Sequence, residues 1–459
     1  MHRATIAVTI VVSSAPLSAA AQMASGGVAV DRDSTAAFCC DEPHLGLTLV
    51  ELGSALVLPW FYNRHAADDS TAVVGFAAWG NNIAAGFEWD GDNFQTNMFA
   101  HPYHGSLYFN AGRSNGYGFW ESAVWSWAGS LLWELFGENN RPAINDWIAT
   151  ATGGVAIGEV LHRTAVVVRD NSATGTGRAL REIGGFLLDP MGGASRLFRG
   201  EMARVGPNPP RRYPSSARSY VRLGYRTVGE GARAPSTSGP IVQIGLRYGD
   251  LFADHADPFD SFAVEVALHG RNEDFRLGGA RLRGGLWGMP IATTRTLTHR
   301  FRLEQVFTYV NNRTVETGGS ALAAAINSRF DLPGRWAMTT RIAPTALVIW
   351  GVDSEYADFT GREYDLGTGL GFDVGAFANF GDQPIFGAEL ALAVQRTLSG
   401  APGMHTMQTL SLQANIPLYA GLGVAGDYRV FARRSEYVDL PDVTRRHGQA
   451  AVFLSWNRR

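Results

Sequence analysis

The sequence contains no lysine, and all of its 39 basic residues are arginine. The 42 acidic residues bring the formal net charge to −3. This balance excludes the basic surface of a nucleic-acid-binding protein or of a polybasic membrane-surface protein, so we expect no nucleic-acid partner. Arginine also pairs with buried carboxylates better than lysine does, because its planar fork can donate to both carboxylate oxygens.

Cysteine and long apolar runs are scarce as well. The only cysteines are Cys39 and Cys40, and adjacent residues about 3.8 Å apart make a strained disulfide and a weak metal site. Beyond the N-terminus no run reaches about 18 uninterrupted apolar residues, which excludes a polytopic helical membrane protein. The chain also lacks the G-x-S-x-G, H-E-x-x-H and Walker motifs, and we predict no cofactor and no metal.

The N-terminus has the pattern of a cleaved signal peptide over residues 1–21. A short basic start precedes a mostly apolar stretch, and Ala19–Ala21 supply small residues for cleavage. The apolar stretch is too short to anchor the chain, so the mature protein is expected to leave the cytoplasm. Residues 22–70 are expected to form a disordered lead and then one apolar helix, which Pro59 stops.

Residues 71–205 indicate a helical domain that is rich in tryptophan and glycine. Three segments predict helices, the last of them short: Trp120–Phe136, Pro142–Val168 and Arg178–Leu188. Three glycines inside the second segment cost about 1 kcal/mol each relative to alanine, which indicates close approach of another helix. We therefore expect the first two helices to form a tight hairpin with five tryptophans around its seam: Trp120, Trp125, Trp127, Trp133 and Trp147.

From residue 211 to residue 459 the hydrophobic period changes from about 3.6 to about 2. Val221, Leu223 and Tyr225, for example, alternate with polar or small residues. Twelve such segments begin near Arg218, Gly239, Ser261, Phe275, Thr298, Gly318, Arg335, Arg362, Pro384, His405, Leu422 and Arg446. An even number of strands with one apolar and one polar face, in an exported chain, predicts an outer-membrane β-barrel.

The polar faces of these strands carry a set of charges that would line the lumen: Arg222, Arg226, Glu265, Arg281, Arg283, Arg300, Arg302, Glu304 and Glu389. The competing interpretation is a soluble β-sandwich, whose strands show the same hydrophobic period of about two. It could carry such charges on its outer faces, though not in its core. Strand length, export and an aromatic last strand favour the membrane barrel. The predicted fold class is mixed α and β, with an N-terminal α-helical domain followed by an antiparallel transmembrane β-barrel of about 12 strands.

Three stretches of the helical region resemble a known family. They are NMFAHPYHGSLYFNAGRSNGYGFWES, GSLLWELFGE and NDWIATATGGVAIGEVLHR. They are similar to the bacterial domain-of-unknown-function family 3943, over roughly residues 72–168. The resemblance implies an exported protein of bacteria with a Gram-negative-type envelope. It implies no activity and assigns no catalytic residues.

The same region contains five candidate catalytic side chains: His101, His104, Glu134, Glu159 and His162. Glu159 and His162 are spaced i, i+3 on one helix face, which is half of the carboxylate-bridged di-iron pattern. Gathered around one pocket, the five could bind a divalent metal or supply an acid and a base. The alternative is internal pairing of Glu159, with Arg163 or with a lumenal arginine, because an unpaired buried charge is expensive.

Three functions are consistent with this sequence. A barrel plugged or capped by its helical domain predicts a transport, channel or envelope-structural role, with an arginine-rich lumen biased towards anions. A membrane-embedded enzyme could act on envelope lipid or glycan through the His/Glu cluster. An assembly module could dock a periplasmic partner on the helices. In each case we expect outer-membrane lipid and the barrel-assembly machinery as partners.

Overall fold

A computed structural model describes residues 42–208, 214, 216–229, 237–271, 274–356, 362–381 and 383–458. The predicted signal peptide, Cys39 and Cys40 lie outside the described residues. Within the described part, the helices come first in the chain and the strands follow.

Seven α-helices precede the first strand in the described part of the chain: α1 (Leu45–His65), α2 (Phe76–Ala85), α3 (His101–Arg113), α4 (Phe119–Phe136), α5 (Ile144–Val168), α6 (Gly175–Leu188) and α7 (Pro190–Phe198). A 3-10 turn (Ser70–Ala72) follows α1, and a π-helical turn (Thr96–Ala100) runs directly into α3. The helices predicted at Trp120–Phe136, Pro142–Val168 and Arg178–Leu188 correspond to α4, α5 and α6. Their predicted ends at Phe136, Val168 and Leu188 are confirmed.

Helix α1 contradicts the prediction that Pro59 stops the first apolar helix, because α1 continues to His65. Proline has no N–H and therefore cannot donate to the carbonyl four residues earlier, which here belongs to Ala55. Nε2 of His104, on α3, lies 2.8 Å from the Ala55 carbonyl oxygen. The imidazole N–H replaces the missing backbone donor, so the helix passes through the proline.

Helix α5 packs most closely against α3, which was not predicted as a helix. A Cβ added at Gly154 would lie 2.5 Å from the carbonyl carbon of Gly105 on α3. One added at Gly158 would lie 2.7 Å from the ring of Phe109. The prediction of close helix approach at the α5 glycines is therefore confirmed, but the partner is α3 and not the expected α4.

Helix α4 completes this group of three. The hydroxyl of Ser126 donates to the carbonyl oxygens of Gly105 and Ala151, at 3.2 Å each. The predicted tryptophan seam is wrong in part, because the side chain of Trp120 is 61% exposed while that of Trp133 is buried. The small residues of α4 face its neighbours, and large apolar residues face outward.

Twelve antiparallel strands form the second part: β1 (Ala217–Gly229), β2 (Thr237–Tyr248), β3 (Phe262–Arg271), β4 (Asp274–Thr293), β5 (Leu297–Asn311), β6 (Glu316–Asp331), β7 (Trp336–Asp353), β8 (Tyr364–Phe380), β9 (Gln383–Ser399), β10 (Gly403–Tyr419), β11 (Leu422–Tyr437) and β12 (Val443–Arg458). Every strand begins within three residues of its predicted start.

Each strand pairs with its neighbours in sequence, and β1 also pairs with β12, for example Leu223 with Leu454. The sheet is thus a closed barrel without free edges, and the predicted fold class is confirmed. We call the end where β1 begins and β12 ends the near rim, and the opposite end the far rim.

Alternate residues of β5 show on which side of the barrel wall the helices lie. Val306 and Thr308 line the lumen, whereas the intervening Phe307 points outward and shares an apolar cluster with Phe109 and Val155 of the helices. Outward-pointing Gln305 donates from Nε2 to the carbonyl oxygen of Thr152, at 2.7 Å. The predicted plug or cap is therefore wrong, because the helices pack on the outer wall.

The helices extend along the wall from one rim to the other. At the near rim, Arg163 donates to Asp260 Oδ1 at 3.1 Å and to the carbonyl oxygen of Pro258 at 2.9 Å. At the far rim, Arg362 beside β8 donates to the carbonyl oxygen of Asp90 at 2.8 Å. Between these points the 25 residues of α5 cover about 37 Å at a rise of about 1.5 Å per residue.

Candidate functional site

The lumen contains a cavity of about 310 Å³ that residues of all twelve strands line. No residue of the described helices lines it. Among the described residues, seven arginines and four carboxylates face or border this space: Arg218, Arg222, Arg247, Arg281, Arg283, Arg429, Arg458, Glu265, Asp373, Glu389 and Asp427. The surplus of arginine makes the lumen electropositive.

One network of ion pairs crosses the lumen. Arg283 on β4 donates from Nη2 to Oε1 of Glu389 on β9, at 3.2 Å. Nη2 of Arg281 lies 3.4 Å from Oδ2 of Asp373 on β8. Arg341 on β7 also reaches Asp373, at 3.3 Å. Because β4 and β9 lie nearly opposite in the closed strand order, these side chains narrow the passage.

A second network lies beside the first. Arg429 on β11 is 3.1 Å from Glu265 Oε1 on β3 and 2.7 Å from Asp427 Oδ2. The hydroxyl of Tyr220 donates to the same Glu265. Glu265 is also the register partner of Arg281. The two networks therefore adjoin and form one charged constriction across the barrel.

Most of the charges predicted to line the lumen participate in this arrangement. Arg222, Glu265, Arg281, Arg283 and Glu389 border the cavity. Glu304 joins it through Arg341, from which it accepts at 2.7 Å. Arg226 donates to Gln449 Oε1 at 3.4 Å.

Arg300 and Arg302 instead hold the loop between β2 and β3, residues 249–261. Arg300 pairs with Asp254 at 2.7 Å, and Arg302 donates to the carbonyl oxygen of Leu251 at 3.2 Å. The same loop binds Arg163 of α5 through Asp260. It therefore connects the lumenal wall with the helices outside.

Four charged residues of the networks were not predicted from the sequence: Arg341, Asp373, Asp427 and Arg429. A signal for them was present, since each occupies a lumen-facing position of an alternating strand. The alternation marks the polar face of each strand, but it does not show which side chains of that face pair across the barrel.

The five candidate catalytic residues do not share one pocket. His101, His104 and Glu134 lie towards the far rim, and Glu159 and His162 lie towards the near rim. Asp146, which is close to His101, and Glu159 are 13 residues apart on α5, about 20 Å at the rise of an α-helix. An acid and a base must both reach the substrate, so this separation does not favour a shared catalytic centre.

Both side chains of the near group have buried partners. Glu159 accepts from Nε of Arg113 and from Nε of Arg163, each at 2.7 Å, and its side chain is 0% exposed. His162 Nδ1 lies 3.2 Å from Asp189 Oδ2. The predicted pairing of Glu159 with Arg163 is confirmed. The second partner, Arg113, belongs to α3 and not to the lumen.

In the far group, Glu134 Oε2 accepts from the backbone N–H of Ala143 at 2.8 Å. His101 Nε2 lies 3.7 Å from Asp92 Oδ2 and 3.8 Å from Asp146 Oδ2, beyond hydrogen-bond distance. Among the described residues, no three His, Cys, Asp or Glu side chains converge in a way that could hold a metal ion.

The loop at this far-rim end is held by Asp90. Partial burial alone would raise the pKa of the Asp90 carboxyl, but hydrogen bonds from Asn97 Nδ2 and the Asp92 backbone N–H lower it below its usual range. A charged carboxylate therefore organises the loop, and its backbone oxygen binds Arg362 of the barrel.

Residues 86–191 match the family described as Domain of unknown function (DUF3943). The predicted resemblance is thus confirmed. The DUF3943 match includes α3, α4, α5 and α6, so the family-like segment contains the helices that pack against the barrel wall. No curated protein matches the chain.

Several solved structures are similar to the barrel half. The NanC porin has 8% identity and a TM-score of 0.28, covering 51% of this chain and 98% of its own. The outer-membrane-expressed OmpT of Vibrio cholerae has 8% identity and a TM-score of 0.24, covering 53% and 97%. The KdgM porin has 9% identity and a TM-score of 0.23, covering 52% and 99%. At these values the similarity carries no information on substrate or partner.

Proposed function

We propose that the protein is an outer-membrane channel that conducts small solutes and prefers anions. The observation that supports this function is the lumenal cavity, which all twelve strands line and which no described helix enters. Rings of arginine side chains in a pore favour the passage of anions over cations. The excess of arginine over carboxylate at the cavity should produce this preference.

The constriction limits the size of the permeant solute. The ion pairs that cross it must separate or shift when a solute passes. Competing ions screen charges in water-filled spaces, so we expect permeation to increase with ionic strength more steeply than the conductivity of the bulk solution.

Arg281→Gln should reduce the anion preference of the channel. A charge about 4 Å from a permeant ion contributes roughly 1 kcal/mol in water, which corresponds to a change of up to about fivefold in the permeability ratio. Glu389→Gln should change the ratio in the opposite direction. Reversal potentials of the purified protein in planar bilayers under a salt gradient measure both effects.

The matched control is Arg396→Gln, because Arg396 is an exposed residue on the outer face of β9, next to the lumenal Gln395. This variant should keep the original reversal potential. A wild-type protein that is folded and inserted but gives no conductance would contradict the channel proposal. Equal effects of the Arg281 and Arg396 variants would contradict the assignment of selectivity to the lumen.

A further inference from the structure

The helical side of the molecule has an inverted distribution of polarity. On α1, Thr48 and Glu51 are buried, whereas Leu49, Val57 and Leu58 are 51%, 55% and 65% exposed. A helix at the surface of a water-soluble protein has the opposite arrangement, with its apolar stripe towards the core. The exposed face of α1 is therefore suited to an apolar environment.

Helix α4 repeats this inversion. It buries Ser122, Ser126 and Glu134, and it exposes Trp120 and Val124. Buried Glu134 has a partner in the Ala143 N–H, and Glu51 on α1 accepts from Asn115 at 2.8 Å. Satisfying polar groups inside the protein is the condition for placing a helix in lipid.

The apolar helical face is continuous with the lipid-facing wall of the barrel. Outward residues on strands away from the helices, such as Leu223, Leu410 and Ile416, are likewise exposed and apolar. The helices replace lipid along only one sector of the wall, where they cover outward residues such as Phe307 and Leu282. The membrane that surrounds the barrel must therefore meet the helices at the same height.

Helix α1 has the length and composition to cross this membrane. It contains 21 residues with a mean hydropathy of 1.5 in its most apolar window, and about 1.5 Å per residue gives about 31 Å, close to the thickness of a hydrocarbon core. Its start is bound near the end of α3, where His44 donates to Asn115. At its other end, Trp60 donates to the carbonyl oxygen of Ala72.

We propose that α1, α3, α4 and α5 form a helical bundle embedded in the outer membrane beside the barrel, with lipid acyl chains covering the outer faces of α1 and α4. This arrangement makes one membrane unit from a β-barrel and a transmembrane helical bundle. Helix α6, which follows α5 at the near rim, buries Arg178 and Glu182 and exposes Leu180, Ile183 and Leu187. It is placed to lie at the membrane surface as an amphipathic helix.

Quenching of a fluorescent label by brominated phospholipid tests this inference. The background is the full chain with both natural cysteines replaced, C39S and C40S. Single variants Val57→Cys on α1 and Val124→Cys on α4 carry the label, in phosphatidylcholine vesicles brominated in the middle of the acyl chains. The controls are Leu410→Cys and Ser411→Cys, neighbours on β10 that face lipid and lumen respectively.

We expect the labels at residues 57 and 124 to be quenched as strongly as the label at residue 410, and several-fold more than the label at residue 411. Aqueous iodide should not quench them. Access to iodide at 57 and 124 would show that water covers this face and would overturn the inference. Protection from both quenchers, together with cross-links between chains, would show that a second copy covers it and would also overturn the inference. Neither result depends on whether the lumen conducts ions.

Discussion

Glu159→Gln should destabilise the helical bundle by about 3–5 kcal/mol, the usual cost of removing one partner from a buried ion pair. The carboxylate of Glu159 is shared by Arg113 and Arg163, and all three side chains are at most 2% exposed. The neutral amide cannot stabilise two guanidinium groups in a medium that excludes water. The near-rim attachment should weaken too, since Arg163 also binds the loop at Asp260.

The loss of helical circular-dichroism signal on heating measures this effect in detergent, and the β-sheet signal monitors the barrel separately. The control is Glu88→Gln. Glu88 pairs with Arg141 at 3.2 Å, but both side chains are 40% or more exposed, and such pairs contribute about 0–1 kcal/mol. Similar helical unfolding temperatures for the two variants would contradict the structural role assigned to Glu159.

Gly154→Leu should prevent the close packing of α5 on α3. Even the Cβ of alanine at residue 154 would lie 2.5 Å and 2.7 Å from backbone atoms of Gly105, and backbone cannot move aside as a flexible side chain can. Overpacking of this kind costs about 1–3 kcal/mol for small additions, so the larger leucine should separate the two helices. We expect Gly154→Ala to be destabilising and Gly154→Leu to lose the bundle.

The matched control is Gly53→Ala on α1, where a Cβ meets nothing within 4 Å. This substitution should stabilise the helix by up to about 1 kcal/mol, through helix propensity alone. Protection of α3 and α5 from proteolysis in detergent measures the outcome for each variant. A Gly154→Leu protein with wild-type protection would show that the two helices are not in contact at this point.

The barrel could be predicted from the sequence because the pattern that identifies each strand lies within the strand itself. A residue pattern with a period of two indicates which side chains face lipid, which face the lumen, and roughly where each strand begins and ends. The alternation of Val221, Leu223 and Tyr225 with Arg222 is an example. Ion pairs such as that of Arg283 with Glu389 could not be predicted, since they join strands that are far apart in sequence.

The helical half was harder to predict because its decisive contacts are not local. Helix α3 contains Pro102, Gly105 and Gly112, residues that indicate a loop when no partner helix is known. The continuation of α1 past Pro59 depends on His104, 45 positions later in the chain. The residue pattern of a helix shows which of its faces is buried. It does not show whether that face packs inside the barrel lumen or on the outer wall, so the plug was inferred wrongly.

The prediction that the five candidate catalytic residues share one pocket was wrong for a related reason. Spacing on a helix predicts which residues share a face, but it does not show which residues of other helices lie at the same height. Glu159 and His162 do lie close together on α5, as the spacing requires. His101 lies about 20 Å away along the helix axis, next to Asp146.

The placement of the helices outside the barrel can be measured directly by photo-cross-linking. A benzoylphenylalanine in place of Phe307, which points outward on β5, should form adducts with α3, α4 or α5. The same photoreactive residue in place of Phe431, which borders the lumen on β11, should form adducts with strands alone. Helical peptides captured from residue 431 and not from residue 307 would place the helices in the lumen and contradict this account.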